Sequence, residues 1–162
     1  ELCQLTLKNI NFTLATSKKL IFEAKVYIDK GAAGTLGQSE IFVGLAALEV
    51  GANFTDAAGL IMSSTNTVGF WSADAATTFD CLVRIADVES IQAAACSYVD
   101  VTWMVLSFYF DGTKVTFYKN DTYIGSITGF PTAGVTPTLY IKNGEAKPSA
   151  LWTDYVLVAR ER

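Results

Sequence analysis

The sequence predicts an all-β fold, an antiparallel β-sandwich of the jelly-roll kind, as one domain over residues 1–162. Two observations predict it. Short apolar or alternating runs recur between turn signals, at about ten to twelve strands in all, with no sustained helical period and no internal repeat. The second is the stretch Thr102–Thr128, three strand-like runs separated by two-residue turn signals. Thr102, Met104, Leu106, Phe108 and Phe110 share one face of the first run, and Trp103, Val105, Ser107 and Tyr109 share the other. Both faces are largely apolar, which places this strand inside a sandwich. Asp111-Gly112 has the residue types of a type I′ turn, where both central residues take positive φ. Val115, Phe117 and Lys119 then alternate with Lys114, Thr116 and Tyr118, Asn120-Asp121 turns again, and Tyr123–Thr128 returns.

Taken in order, Leu2–Phe12 alternates Leu5 and Leu7 with Gln4, Thr6 and Lys8, as a first strand does. Lys19–Asp29 sets Phe22, Ala24, Val26 and Ile28 against Glu23, Lys25 and Tyr27, the pattern of a half-buried antiparallel strand. The glycine-rich stretch Lys30–Ser39 is a loop. Glu40–Glu49 opens Ile-Phe-Val with Gly44 inside it and reads as a buried strand. Leu60–Ser63 and Thr67–Ser72 form a hairpin around Ser64-Thr65-Asn66, and Asp74–Thr77 is a connection. Phe79–Ala86 resumes alternation, with Phe79, Cys81, Val83 and Ile85 on one face. In Asp87–Ser97 the spacing of Val88, Ile91 and Ala95 is helical although the flanks are strands, so a loop or irregular edge strand with one helical turn is expected. Gly129-Phe130-Pro131 breaks the sheet, Thr136–Lys142 is a strand, and Asn143–Ser149 is a polar loop closed by Pro148. In the last strand, Leu151–Arg160, Trp152, Val156 and Val158 are expected opposite Tyr155 and Leu157.

Composition narrows the function classes. A hydrophobic fraction of 51% is high, yet no stretch reaches the ~18 unbroken apolar residues of a membrane helix. No membrane partner is expected, and the excess apolar surface points to subunit contacts. The net charge of −4, with 12 basic residues scattered, argues against nucleic acid, whose phosphates draw on clustered Lys and Arg. Cys3, Cys81 and Cys96 lack zinc-ligand spacing; buried free thiols are expected, with a Cys81–Cys96 bridge between neighbouring strands as the alternative. Glu1 is not an initiator Met and no leader-like segment follows it, so the N-terminus was processed or the chain begins inside a longer one. The acceptor-like triplets at Asn11, Asn53 and Asn120 are read as chance matches.

The chemistry-bearing residues point away from catalysis. A retaining glycosidase needs two carboxylates about 5–5.5 Å apart, which an E-x-D-x-x-E strand supplies. No such run exists, and Asp87-Val88-Glu89 reads as a solvated loop. The chain has no His, which removes the usual Ser-His-Asp and Cys-His arrangements. Asp74, Asp80 and Asp87 are oxygen donors of the right type for calcium, but their spacing matches no metal loop. No catalytic, cofactor-binding or metal-binding residue is assigned, and a non-enzymatic protein is expected. Carbohydrate binding is the alternative, with Trp71 or Tyr98 stacking on a sugar face.

Two stretches bear a family resemblance. Thr102-Trp103 through Asp111-Gly112-Thr113-Lys114-Val115-Thr116-Phe117-Tyr118 to Tyr123-Ile124-Gly125 resembles the meander of concanavalin A-like and laminin-G-like sandwiches. It departs from that pattern at Asn120-Asp121, where the family has Asn-Gly. The ending, Thr136–Glu145 followed by Asp154-Tyr155-Val156-Leu157-Val158-Ala159-Arg160-Glu161-Arg162, is similar to small virion proteins of tailed bacteriophages. That resemblance covers about the last 60 residues and implies a structural protein decorating or cementing a capsid, or sitting on a tail. The partners it implies are the major capsid protein or other virion proteins and further copies of the chain, a trimer for choice. The N-terminal segment and the Lys30–Ser39 loop are the contacts expected, and the capsid surface the location.

Overall fold

A computed structural model describes residues 2–6, 12–13, 17–29, 39–47, 66–74, 76–86, 88–144 and 149–162. Through them run eleven strands and no helix. The first six are β1 (Leu2–Thr6), β2 (Leu20–Asp29), β3 (Ser39–Ala46), β4 (Thr67–Ser72), β5 (Thr78–Ile85) and β6 (Val88–Ser97). The remainder are β7 (Thr102–Phe110), β8 (Lys114–Lys119), β9 (Thr122–Thr128), β10 (Thr136–Asn143) and β11 (Ala150–Arg160). They pair antiparallel into a six-stranded sheet, ordered β1-β10-β3-β4-β5-β6, and a five-stranded sheet, ordered β11-β2-β7-β8-β9. The predicted all-β antiparallel sandwich is the fold observed.

The inward faces meet in one apolar core. Register places Val158, Phe22, Phe108, Phe117 and Gly125 in a single row across the five-stranded sheet. Phe22 and Phe108 stack at 4.9 Å, and Phe70 of the opposite sheet meets Phe117 edge-on at 5.5 Å and 83°. Offset and edge-on arrangements of this kind suit the ring quadrupoles and add to the area the rings bury. At the β6 and β9 edges the sheets also meet, where the Gln92 amide donates to the Ile124 carbonyl at 2.8 Å. Gln92 lies over Gly125, where a Cβ would stand 1.8 Å from its Oε1.

The two meander turns differ from each other. Asn120 (φ 47°) and Asp121 (φ 63°) both adopt the left-handed conformation, as a type I′ turn needs. At the first turn the expected Asp111-Gly112 centre is displaced by one residue. Gly112 alone has positive φ, at 103°, and Asp111 precedes the turn, its N–H donating to Lys114 at 3.2 Å. Its carboxylate accepts from the Thr113 and Lys114 N–H groups at 2.8 and 2.9 Å. Those bonds hold the Asp111 carboxyl below its ordinary value, because they favour the charged form.

Of the alternatives for Asp87–Ser97, the irregular edge strand is the one observed: the ten-residue β6 runs from Val88 at the edge of its sheet, without the expected helical turn. Its helical-looking spacing is absorbed by an irregularity opposite Phe79/Cys81, where Ala94 turns to φ 48° and its N–H donates to the Asp80 carboxylate at 2.7 Å. In β11 the register slips between Thr153 and Tyr155. That β-bulge puts Trp152 on the same side as Tyr155 and Leu157, opposite Val156 and Val158, contrary to strict alternation. Leu60–Ser63, Ser64-Thr65 and nearly all of Lys30–Ser39 lie outside the described residues; within them β4 pairs with β3 and β5.

Gly44 and Gly69 face each other across β3 and β4. A Cβ on Gly69 would sit 2.5 Å from the Val43 carbonyl oxygen and 2.8 Å from the Gly44 Cα. Backbone cannot give way as a side chain does, so Gly69→Ala is expected to destabilise by about 1–3 kcal/mol. Thermal and urea unfolding check this; an unchanged midpoint would show that the strands can separate freely there.

Candidate functional site

Each sheet presents an outward face, and register fixes what stands on it. On the six-stranded sheet one transverse row reads Gln4, Tyr140, Phe42, Trp71 and Asp80. The next reads Thr6, Thr138, Gly44, Gly69, Leu82 and Ile91, and a third Thr136, Ala46, Thr67, Arg84 and Glu89. The glycine pair leaves space that the Phe42 ring fills, since Cβ atoms there would lie about 3 Å from its Cζ and Cε2. Phe42, Ala46, Trp71, Leu82 and Tyr140 form a second apolar cluster, all of them buried. The acidic side chains on this face are engaged: Glu40 pairs with Lys142 at 3.3 Å and accepts from the Tyr140 hydroxyl at 3.5 Å, and Glu89 pairs with Arg84.

Trp71 and Tyr98 were the aromatics expected to meet a sugar, and the structure removes both from the surface. Trp71 is 5% exposed within that second cluster. Tyr98 is 3% exposed, tilted against Phe79 at 4.9 Å, and its hydroxyl donates to the Ala76 carbonyl at 2.9 Å. It ties the β4–β5 connection to the end of β6. Of the three candidate calcium donors, Asp80 accepts the Ala94 N–H, Asp74 stands beside Gly144, and Asp87 lies outside the described residues. Among the described residues no three His, Cys, Asp or Glu side chains gather where a metal would sit.

The open aromatic surface is on the other sheet. Trp152, Tyr27 and Trp103 face outward in one row across β11, β2 and β7. Trp152 is 59% exposed and Trp103 44%. Tyr27 and Trp103 are 5.2 Å apart and tilted by 48°. The next row holds Tyr155, Lys25 and Val105, and the one beyond it Leu157, Glu23, Ser107 and Tyr118. Polar groups are interleaved with the rings. Lys25 Nζ lies 2.8 Å from Asp154 Oδ2 and 5.2 Å from the Trp103 ring centre, where the quadrupole attracts it. The Tyr155 hydroxyl donates to Glu23 at 2.6 Å, and that carboxylate holds the phenol above its ordinary pKa. The Thr153 hydroxyl bonds the Lys25 and Tyr155 carbonyls at 3.2 Å each and so fastens the bulge that turns Trp152 outward.

The sequence contains one half of this surface plainly, since Glu23, Lys25 and Tyr27 alternate against an apolar face. Trp152 was hidden by the bulge, and Trp103 by a strand apolar on both sides.

The cysteines are all free. Cys81 is buried as expected, but Cys3 is exposed, because it lies on the edge strand β1. Burial pushes the Cys81 thiol far above its usual range, with Cys96 and Asp80 adding to the effect, and burial raises Cys96 against the opposing charge of Lys119. Only the thiolate is nucleophilic, so alkylation at neutral pH should label Cys3 on the folded protein and Cys81 only after unfolding. Peptide mass spectrometry reads this; equal labelling of Cys81 in the native state would mean the core opens there.

No protein-family model matches the sequence, and no curated protein does. Solved structures do share the architecture. The carbohydrate recognition domain of Emp47p superposes with a TM-score of 0.69 at 9% identity, over 96% of this chain and 76% of that one. An endo-1,3-β-glucanase from Streptomyces sioyaensis gives 0.65 at 10% identity, over 96% and 68%. Sheep galectin-11 gives 0.53 at 12%, over 93% and 95%. The chain therefore has a concanavalin A-like jelly-roll sandwich, the fold of lectins and of glycosidases. At such identities the likeness is one of fold, and it lends nothing to a bacteriophage origin.

The expectation of a non-enzymatic protein is corrected at this point. It rested on a missing E-x-D-x-x-E strand and missing His, whereas the architecture itself is shared with a glucanase. A fold hosts many arrangements of carboxylates, so the absence of one motif does not remove catalysis from this chain.

Proposed function

We propose that the chain recognises carbohydrate on the outward face of the five-stranded sheet. The observation that carries this reading is the outward row of exposed Trp152 and Trp103 with half-buried Tyr27 between them, and bonded polar side chains directly beside it. A sugar ring has one apolar C–H face and a rim of hydroxyls. Flat aromatic planes take the first, and carboxylate, ammonium and phenol groups take the second. Support comes from neighbours described as carbohydrate recognition domains, those of Emp47p and Emp46p.

A glycan array probed with the intact chain tests the proposal. Binding is expected, and Trp103→Ala or Trp152→Ala should weaken it about tenfold or more, equivalent to about 1.4 kcal/mol, at unchanged thermal midpoint. An array without hits, with soluble oligosaccharides equally silent, would overturn it.

A second reading, that of a virion module, is favoured by apolar residues exposed on strands at the sheet edges. Val88 (69%) and Ile91 (48%) lie on β6, and Leu157 (48%) on β11. Here the chain assembles as a homo-oligomer, a trimer for choice, against the major capsid protein or other virion proteins on the capsid surface. Symmetry multiplies modest contacts into a tight assembly. Rebinding to stripped capsids should then restore density at regular lattice positions; capsids that stay bare would count against this assignment.

A further inference from the structure

Resting on the carbohydrate reading, we infer that the ligand is an extended, uncharged, β-linked glycan that crosses the strands along Trp152, Tyr27 and Trp103. Three adjacent strands each contribute one aromatic to this row. Neighbouring strands are about 4.8 Å apart, so the two tryptophans are separated by about 10 Å along the hydrogen-bonding direction. That separation is comparable to a disaccharide repeat of an extended β-linked chain, in which alternate sugars present the same face. Two rings set one repeat apart therefore stack on alternate sugars, and the tilted Tyr27 underlies the one between.

The surroundings select for a neutral ligand. Lys25, the cation adjoining the row, is already paired with Asp154 at 2.8 Å and lies over the Trp103 ring. Glu23 on the same strand accepts a hydrogen bond from the Tyr155 hydroxyl at 2.6 Å. A uronate or sulfated glycan would bring its own negative charge beside the Asp154 and Glu23 carboxylates, which repel it, while the single cation Lys25 is already partly neutralised by Asp154. Neutral hydroxyls meet no such repulsion: the pair offers a donor and an acceptor within one hydrogen-bond length of each other, matched to two adjacent hydroxyls of one sugar. Asp154 is the bulged residue of β11, so the irregularity that turns Trp152 outward also delivers the acceptor.

Calorimetry with cello-oligosaccharides of one to six sugars, alongside polyglucuronate, tests this on the full chain. Affinity is expected to rise at least about tenfold from the monosaccharide to the trisaccharide and then level off, with little dependence on salt. Trp103→Ala and Trp152→Ala should each bring the trisaccharide close to the monosaccharide value. Trp152→Phe, which keeps a stacking plane, should recover most of the loss, and Ile21→Ser, two rows beyond Lys25 on the same sheet face, should change nothing. A monosaccharide that binds as tightly as the trisaccharide would overturn the crossing geometry, and tighter, salt-sensitive binding of polyglucuronate would overturn the neutral specificity. Both outcomes leave glycan recognition standing. Silence across both this series and the glycan array would remove the recognition itself, and with it this inference.

Discussion

The two sheets are joined through the edge-on approach of Phe70 to Phe117, above the row that also holds Phe22 and Phe108, and the facing of every strand in that row follows from it. Register alone brings the three phenylalanines of the five-stranded sheet side by side, since a shift of one residue in any strand would send its ring to the opposite face. The fixed inward row determines the outward one. Once Phe22 and Phe108 point into the core, Glu23, Lys25 and Tyr27 on β2 and Trp103 on β7 must point away from it.

Against this constraint the two outward faces take different courses. On the six-stranded sheet the glycine pair opens a shallow site that the Phe42 ring occupies, and the neighbouring aromatics are buried with it. Burial there contributes to stability and takes Trp71 away from ligands. The five-stranded sheet has no such pair opposite its aromatics, and its two tryptophans stand open. A surface of exposed tryptophan costs solubility unless polar groups interrupt it. The Lys25–Asp154 and Tyr155–Glu23 pairs do so, and they are the groups a polyhydroxylated ligand would use.

The bulge at Asp154 joins architecture to chemistry. Without it, strict alternation would turn Trp152 toward the side of Val156 and Val158. With it, the Thr153 hydroxyl is spent on two backbone carbonyls, Asp154 reaches Lys25, and the row is complete. Bulges are common where a sheet must re-aim a side chain, and this one lies on an edge strand, where the loss of one ladder bond is cheapest.

The sequence by itself determined the strands, the antiparallel sandwich and the meander, because those follow from a period of two and from the local sterics of turns. Asn120-Asp121 was readable since few residue pairs tolerate two left-handed conformations in succession. The exposed half of β2 was readable because its two faces differ in polarity. Tertiary structure decided the rest. For β6 the local pattern left loop and irregular edge strand open, and β5 decides it by supplying the hydrogen bonds while Asp80 takes up the irregularity. Trp71, Tyr98 and Trp103 are equivalent as letters, large aromatics in apolar strands. Which of them is buried depends on what packs against each face, a property of distant segments that no local pattern records.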